Sequence, residues 1–448
     1  MSQPMREQLQ VAAERAVLVQ VILTDPRHKG EEDLSELRSL AETAGAVVVG
    51  EMTQRRRKPA GRTYVGTGKV KELASFVKER GAELLIFDND LAPSQIAAIE
   101  EETECKVIDR SELILDIFAN RATTHAAKLQ VEIAQLEYTY PRLRAMWSHL
   151  ERIVGGAPVG IGTRGPGEQQ LEIDRRIVQR RKAQLRRELA EIEARKTREV
   201  ATRNMDHFTV GLVGYTNAGK STLFNRLTSG GAYADNRLFS TLSTRVERWN
   251  LGGGMMAMVS DTVGFIRDLP HHLVASFRST LEETRFARLL LIVLDVTDPR
   301  AEQQLETVSG TLDEIEATTQ PRLLLLNKVD VLPDPAVLSG WLERDPHALP
   351  ISAAKGIGLD RLREVVRDKM LGGLVEVSIE APLSDSRTID YLEKRTEVLD
   401  RAYDGTSVTL RTRVGRPQVS QLLAQGARLR INGLEPREAM AQLWGGAG

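Results

Sequence analysis

A chain of 448 residues with 41% apolar side chains can build about two to four domains with their own cores. Its 61 basic and 62 acidic side chains leave a net charge of -1, which excludes attraction to polyanions through overall charge and leaves only local clustering. The single cysteine, Cys105, excludes an internal disulfide framework; MSQPMREQLQVAAER has no apolar signal core and no run approaches the ~18 apolar residues of a membrane span, so a cytoplasmic protein without membrane insertion is expected.

Residues 1–122 alternate apolar runs (AVLVQVIL, AVVVGEMT, AELLIFD, CKVID) with helical patterns (LSELRSLAETAG, KVKELASFVKER, SQIAAIEEE). That alternation predicts an N-terminal α/β domain on a mostly parallel sheet. Within it RRRKPAGRTYVGTGK carries Arg55, Arg56, Arg57 and Lys58, a charge run expected to be solvated loop.

Over 123–204 the period changes. Leu129, Ile133, Leu136, Tyr140, Leu143, Trp147 and Leu150 recur at alternating steps of four and three, the seam of a coiled-coil helix, with Pro141 as its expected kink. A second helical stretch, Gly167 to Arg198, carries Val178, Leu185, Leu189 and Ile192. Together they predict an antiparallel helical hairpin on the order of 40 Å long. Its tip, GGAPVGIGTRGPGEQQLE, spells G-x-G-x-x-G at Gly160, Gly162 and Gly165, yet a long helical pattern precedes it where a dinucleotide fingerprint needs a strand. Around the tip Arg142, Arg144, Arg152, Arg164, Arg175, Arg176, Arg180, Arg181, Lys182, Arg186 and Arg187 face only Glu151, Glu168, Glu172 and Asp174. A narrow glycine tip on a cationic stem suits insertion into folded RNA. The other reading is a hairpin folded back on a neighbouring domain, with the glycines making the turn.

Residues 205–370 hold a glycine-rich stretch in the right context. FTVGLV is an apolar strand that runs into Gly214, Tyr215, Thr216, Asn217, Ala218, Gly219, Lys220, Ser221 and Thr222, followed by the helical LFNRL. Strand, G-x-x-x-x-G-K-S, helix is the P-loop: backbone N–H groups cradle phosphates, Lys220 meets the β and γ phosphates, and the Ser221 hydroxyl is offered to Mg2+. Asp261, Thr262, Val263 and Gly264 (DTVG) follow an apolar run, so that a carboxylate can hold magnesium through water and a glycine N–H can sense a γ phosphate. Asn327, Lys328, Val329 and Asp330 (NKVD) end the strand RLLLL; the Asp330 carboxylate can accept from guanine N1–H and the exocyclic amine, which adenine cannot reproduce. Ser352, Ala353 and Ala354 follow LPI and fit a loop whose N–H meets the guanine O6. Four motifs in order at strand ends predict GTP and GDP binding by a Rossmann-like P-loop GTPase domain.

Beyond these motifs the chain resembles the ribosome-associated HflX family in the Obg-HflX group of P-loop GTPases. The resemblance rests on YVGTGKVKEL (64–73), LILDIFANRATTHAAKLQVEIAQLEYTYPRL (113–143), GTRGPGEQQLEIDRR (162–176) and DTVGFIRDLPHHLVASFRSTLEE (261–283). It implies a GTPase that binds the large ribosomal subunit and splits stalled or idle ribosomes, hydrolysis resetting it; a monomer is expected. The glycine tip would reach ribosomal RNA, with Gly162, Arg164, Gly165, Gly167, Arg175 and Arg176 as candidate contacts. For switch I the family reads F-A-T-L-D-P-T-x-R; this chain has Phe239, Ser240, Thr241, Leu242, Ser243, Thr244 and Arg245, without the Asp-Pro pair. The T-L pair aligns Thr241 with the family's magnesium threonine, Thr244 being second choice. The tip also reads GEQQLE where the family commonly has G-E-T-Q-L-E.

Phe265 follows DTVG where many GTPases place a water-orienting glutamine, so slow turnover alone and activation by the ribosome are expected. Asn217 is read two ways: as a K+ ligand, as in some related GTPases, or as a residue that only shapes the loop. Residues 371–448 read as strand (LVEVSIEAP), helix (RTIDYLEKRTEVLD), strand (SVTLRTRVG) and helix (RPQVSQLLAQG), a small C-terminal α+β domain without a catalytic cluster. His271 and His272 follow the DTVGFIRDLP segment and are expected to be loop residues. The alternative function is a GTP-gated assembly factor for large-subunit RNA without splitting activity; a GTP-sensing regulator of another enzyme leaves the basic rod unused. ATP hydrolysis outside the P-loop domain finds no support in a phrase as short as YVGTGK.

Overall fold

The computed structural model describes residues 14–25, 28–29, 33–138, 166–228, 239, 245–252, 254–267 and 283–444. The first sheet is built from β1 (Arg15–Asp25), β2 (His28–Lys29), β3 (Val47–Arg56), β4 (Leu84–Phe87) and β5 (Lys106–Asp109). Helices α1 (Ser35–Ala44), α2 (Thr67–Arg80), α3 (Pro93–Thr103) and α4 (Arg110–Arg121) connect them. Strands β3, β1, β4 and β5 lie side by side and parallel, with β2 folded antiparallel onto the end of β1. Val17, Leu18, Val19, Val21 and Ile22 are all buried, the continuous apolar run that a strand covered on both faces requires. The basic run expected as loop begins inside this sheet: Arg55 and Arg56 pair with Ile22 and Leu23 of β1. A neighbouring strand satisfies their backbone, so their charge does not make them loop.

A helix at 125–138, α5, precedes α6 (Pro166–Asp206). The 41 residues of α6 span about 60 Å, longer than expected, because no glycine or proline interrupts it between Arg198 and Asp206. Leu129 and Ile133 of α5 pack on Leu185 and Leu189 of α6. Across this seam Arg181 pairs with Glu132 at 2.9 Å, and Lys182 and Arg186 both pair with Glu137. Three of the basic residues read as unopposed therefore have acidic partners on the facing helix, and the cationic excess narrows to side chains such as the exposed Arg180 and Arg187. Tyr140, Pro141, Leu143, Trp147, Leu150 and the tip with Gly160, Gly162, Arg164 and Gly165 lie outside the described residues.

The second sheet follows directly. It comprises β6 (Phe208–Gly214), β7 (Arg245–Gly252), β8 (Met255–Asp261), β9 (Leu289–Asp295), β10 (Arg322–Asn327) and β11 (Leu349–Pro350) in the order β11-β10-β9-β6-β8-β7. All neighbours are parallel except β7 on β8. Helix α7 (Lys220–Leu227) leaves β6, and α8 (Ala301–Glu314), α9 (Pro335–Arg344) and α10 (Leu359–Met370) follow.

The remaining elements are β12 (Val375–Pro382), α11 (Ser386–Arg395), β13 (Glu397–Asp404), β14 (Ser407–Val414), α12 (Arg416–Ala424), β15 (Arg430–Ile431) and α13 (Pro436–Trp444). The antiparallel order β13-β14-β12-β15 is that of a ferredoxin-like βαββαβ unit. It corrects the reading of RTIDYLEKRTEVLD as one helix: the chain leaves α11 at Arg395 and pairs Glu397–Asp404 with β14. Apart from Val398, every residue of β13 is exposed, so the strand carries no alternation for sequence reasoning to detect.

One apolar cluster spans both α/β sheets, from Leu18, Leu37 and Phe118 to Tyr215, Phe265 and Leu294. Beside it lies a buried polar network. Arg110, 2% exposed, pairs with Glu36, donates to Asp88 Oδ1 at 2.8 Å and to the Arg267 carbonyl at 3.2 Å. Arg267 in turn reaches Asp88 Oδ2 at 3.0 Å. Burial alone would depress the Arg110 pKa, but Glu36 and Asp88 carry it above the ordinary arginine value, so the cation is permanent. Arg110→Met removes the cation from between Glu36 and Asp88 but leaves Arg267 on Asp88 and Tyr215 on Glu36, so it should destabilise the N-terminal sheet by about 3 kcal/mol, the low end for a broken buried pair, read as a lowered midpoint for its transition in urea.

Candidate active site

The P-loop leaves the middle of the second sheet, where β6 is flanked by β8 and β9. Two glycines are dictated by space as well as torsion. A Cβ on Gly214 would lie 2.3 Å from the Val293 carbonyl oxygen, and one on Gly219 (φ +98°) would lie 2.3 Å from Asn327 Nδ2. Asn217 takes a left-handed φ of 61°, which asparagine tolerates better than most residues. The loop thus turns tightly into α7.

Lys220 is buried, and its Nζ donates to the carbonyls of Gly214 at 3.0 Å and Tyr215 at 2.7 Å. Burial pushes its pKa down to about 8, against the opposing pull of Asp261. The Ser221 hydroxyl donates to Asp261 Oδ2 at 2.8 Å, bringing two hard oxygen donors together. Asp261 ends β8, and the next side chain, Thr262, donates its hydroxyl to the Leu212 carbonyl at 2.6 Å. The DTVGF segment then runs along the P-loop: Phe265 N–H donates to the Gly214 carbonyl at 3.1 Å and Thr216 N–H to the Phe265 carbonyl at 2.8 Å. Gly264 sits so close that a Cβ there would be 2.9 Å from Lys220 Nζ and from Thr216 Cα.

Asn327, at the end of β10, clamps three loops together. Its Nδ2 donates to the Ala218 carbonyl at 2.7 Å and its Oδ1 accepts from Ala353 N–H at 3.0 Å, joining NKVD, the P-loop and the Ser352–Ala354 loop. Lys328 pairs with Asp295 at 2.5 Å, and the half-buried Asp330 has no hydrogen-bond partner among the described residues. Ser352 is buried and accepts from Lys355 N–H, while the Ala354 carbonyl accepts from Arg226. The fold therefore gathers Gly214–Thr222, Asp261–Gly264, Asn327–Asp330 and Ser352–Ala354 along the carboxyl edge of one sheet, where open α/β folds bind ligands.

Other expected positions are not gathered there. Phe239 is buried with its ring edge-on to Phe118 at 4.6 Å, so its side chain serves the core. Ser240, Thr241, Leu242, Ser243 and Thr244 lie outside the described residues, as do His271 and His272. Of the tip residues, Gly167 and Arg175 are in α6, and Arg176 is exposed on it. Sequence reasoning missed the role of the Tyr215 side chain: its hydroxyl donates to Glu36 at 2.5 Å and accepts from Arg267 N–H at 2.8 Å. Burial, then Glu36, raises its pKa, keeping the phenol protonated. These partners stand 179 and 52 residues away, and no local pattern announces them. Among the described residues no helix is long and apolar enough to cross a membrane, and no cluster of His, Cys, Asp and Glu could hold a metal by itself.

Three family models match in succession: "GTP-binding GTPase N-terminal" over residues 31–119, "GTP-binding GTPase Middle Region" over 121–203 and "50S ribosome-binding GTPase" over 209–328. The chain is 43% identical to GTPase HflX of Escherichia coli (strain K12), the alignment covering 84% of this chain and 87% of that protein. It is 40% identical to GTPase HflX of Caldanaerobacter subterraneus subsp. tengcongensis over 91% of this chain and 92% of that protein. GTPase HflX of Alkalihalophilus pseudofirmus is likewise 40% identical, over 88% and 95% of the two chains.

Two outcomes follow from the site's geometry. Gly219→Ala forces a side chain into Asn327 at a left-handed torsion, a strain of about 1–3 kcal/mol, so GDP should bind roughly ten- to a hundredfold more weakly in a fluorescence titration while far-ultraviolet circular dichroism stays unchanged. The second concerns pH. Lys220 is charged below its free-protein pKa of about 8, and a bound polyphosphate favours the charged form. Affinity for GDP should therefore be at full strength below that pH and fall by up to about tenfold per unit above it, as titrations up to about pH 9 would record.

Proposed function

Since the chain belongs to the HflX family of GTPases and is a GTP hydrolase, we propose that it binds the large ribosomal subunit and splits stalled or idle ribosomes, with hydrolysis resetting it for release. The observation that carries this reading is the continuity of α6 with the nucleotide strand. A helix of 41 residues with exposed Arg180 and Arg187 ends at Asp206, and β6, which delivers the P-loop, begins two residues later at Phe208. A rod seated on phosphates is thereby linked to the loop that holds nucleotide. Four units carry the work: 1–122, the hairpin 123–204, the GTPase unit 205–370 and 371–448.

Within the site, Lys220 and the P-loop amides hold the β and γ phosphates, and Asp330 selects guanine by accepting from N1–H and the amine. Ser221 and Asp261 already place a hydroxyl and a carboxylate 2.8 Å apart, a donor set that fits Mg2+; Thr241 is the proposed third residue, and the ion supplies charge neutralisation at the phosphates. Asn217 is the proposed K+ ligand; equal turnover in sodium and potassium buffers would remove that ion. Phe265 carries no hydrogen-bonding group, so the subunit accelerates hydrolysis by ordering the switch segments.

The deciding experiment mixes intact ribosomes with the protein and a non-hydrolysable GTP analogue and resolves them on a sucrose gradient. Separated subunits are expected with the analogue and intact ribosomes with GDP. Attachment to the large subunit that leaves ribosomes whole would favour the assembly-factor reading instead.

A further inference from the structure

The P-loop holds a hydroxyl that the arrangement described so far does not use. Thr216 is 7% exposed, and its Oγ1 is inaccessible to solvent and has no hydrogen-bond partner among the described residues. Its methyl carbon Cγ2 lies against Gly264, close enough that a Cβ on Gly264 would be 2.9 Å away. Its backbone N–H donates to the carbonyl of Phe265, the residue in the place of the water-orienting glutamine. A buried hydroxyl without a partner is unfavourable unless another state of the protein supplies one, and valine would fill the same volume at no such cost.

Four neighbouring polar side chains are already engaged. Lys220 is held by two loop carbonyls, Ser221 by Asp261, Thr262 by the Leu212 carbonyl, and the Tyr215 hydroxyl by Glu36. Phe265 offers none. Thr216 is left as the P-loop hydroxyl beside Gly264 with hydrogen-bonding capacity to spare. Gly264, packed on Thr216 and Lys220, belongs to the segment that senses the third phosphate, and its displacement would uncover this side chain. Rotation about the Cα–Cβ bond then exchanges the methyl for the hydroxyl.

We propose that Thr216 is a catalytic residue for GTP hydrolysis, its hydroxyl taking the place of the missing glutamine by accepting a hydrogen bond from the attacking water and donating one to a γ-phosphate oxygen. A hydroxyl has one donor and two acceptor sites, so both bonds are available at once. In the step, the water oxygen bonds to the γ phosphorus as the bond from that phosphorus to the bridging oxygen breaks. GDP leaves with the bonding electron pair, and the water proton ends on inorganic phosphate. Thr216 is neither consumed nor oxidised.

This rests on GTP hydrolysis alone and not on ribosome splitting, so the two fail separately. The test compares single-turnover hydrolysis of radiolabelled GTP by the full-length chain, Thr216→Val and Thr216→Ser, with GTP and GDP affinities measured in parallel. The expected result is a rate about tenfold or more lower for the valine variant at saturating GTP, a GDP affinity within about twofold of the parent, and a serine variant close to the parent rate. A valine variant that turns over normally would overturn the proposal. So would equal loss of GTP and GDP binding, which would make the hydroxyl a packing element. A serine variant as slow as valine would also overturn it, because the methyl group would then be what matters.

Discussion

A guanidinium sealed between two carboxylates organises this molecule. Arg110 stands at the start of α4, Glu36 in α1 and Asp88 just beyond β4, so the three come together only when the first sheet is complete. Asp88 lies where the strand order reverses between β1 and β4, the place at which a doubly wound sheet normally receives a ligand. Here Arg267, three residues beyond the DTVG motif, fills that role by binding Asp88, and Tyr215 of the P-loop binds Glu36. The N-terminal sheet thus grips both the P-loop and the segment that follows DTVG.

That grip explains the shape of the nucleotide site. The DTVGF segment lies on the P-loop through two backbone hydrogen bonds, with Phe265 and Ile266 buried in the apolar cluster common to both sheets. A phenylalanine cannot orient water, but it can anchor a segment in a core. The same side chain therefore ties the segment after DTVG, and with it the P-loop, to the apolar core shared with the N-terminal sheet. On the opposite side Asn327 ties three motifs through one amide, which is why Gly219 must lack a side chain.

The basic hairpin illustrates how packing revises a count of charges. Arg181, Lys182 and Arg186 looked available to RNA because their acidic partners, Glu132 and Glu137, sit about 50 residues upstream. The antiparallel helices bring them together. Arg176, Arg180 and Arg187 remain exposed on α6, the helix that leads into β6.

The P-loop, DTVG, NKVD and SAA motifs were legible without a structure because each is a local strand-to-loop junction whose chemistry is carried by adjacent residues. The parallel strands of the first sheet were legible for a similar reason, since burial on both faces demands unbroken apolar runs such as that in β1. Strand β13 was hidden because its exposed residues carry no period, and the end of α11 was hidden with it. Tertiary structure alone decided that Tyr215, Glu36, Arg110, Asp88 and Arg267 form one network, and that the Thr216 hydroxyl is left without a partner among the described residues. Hydrogen bonds and burial act through space between residues up to 179 positions apart, whereas sequence patterns report only what neighbours along the chain must do.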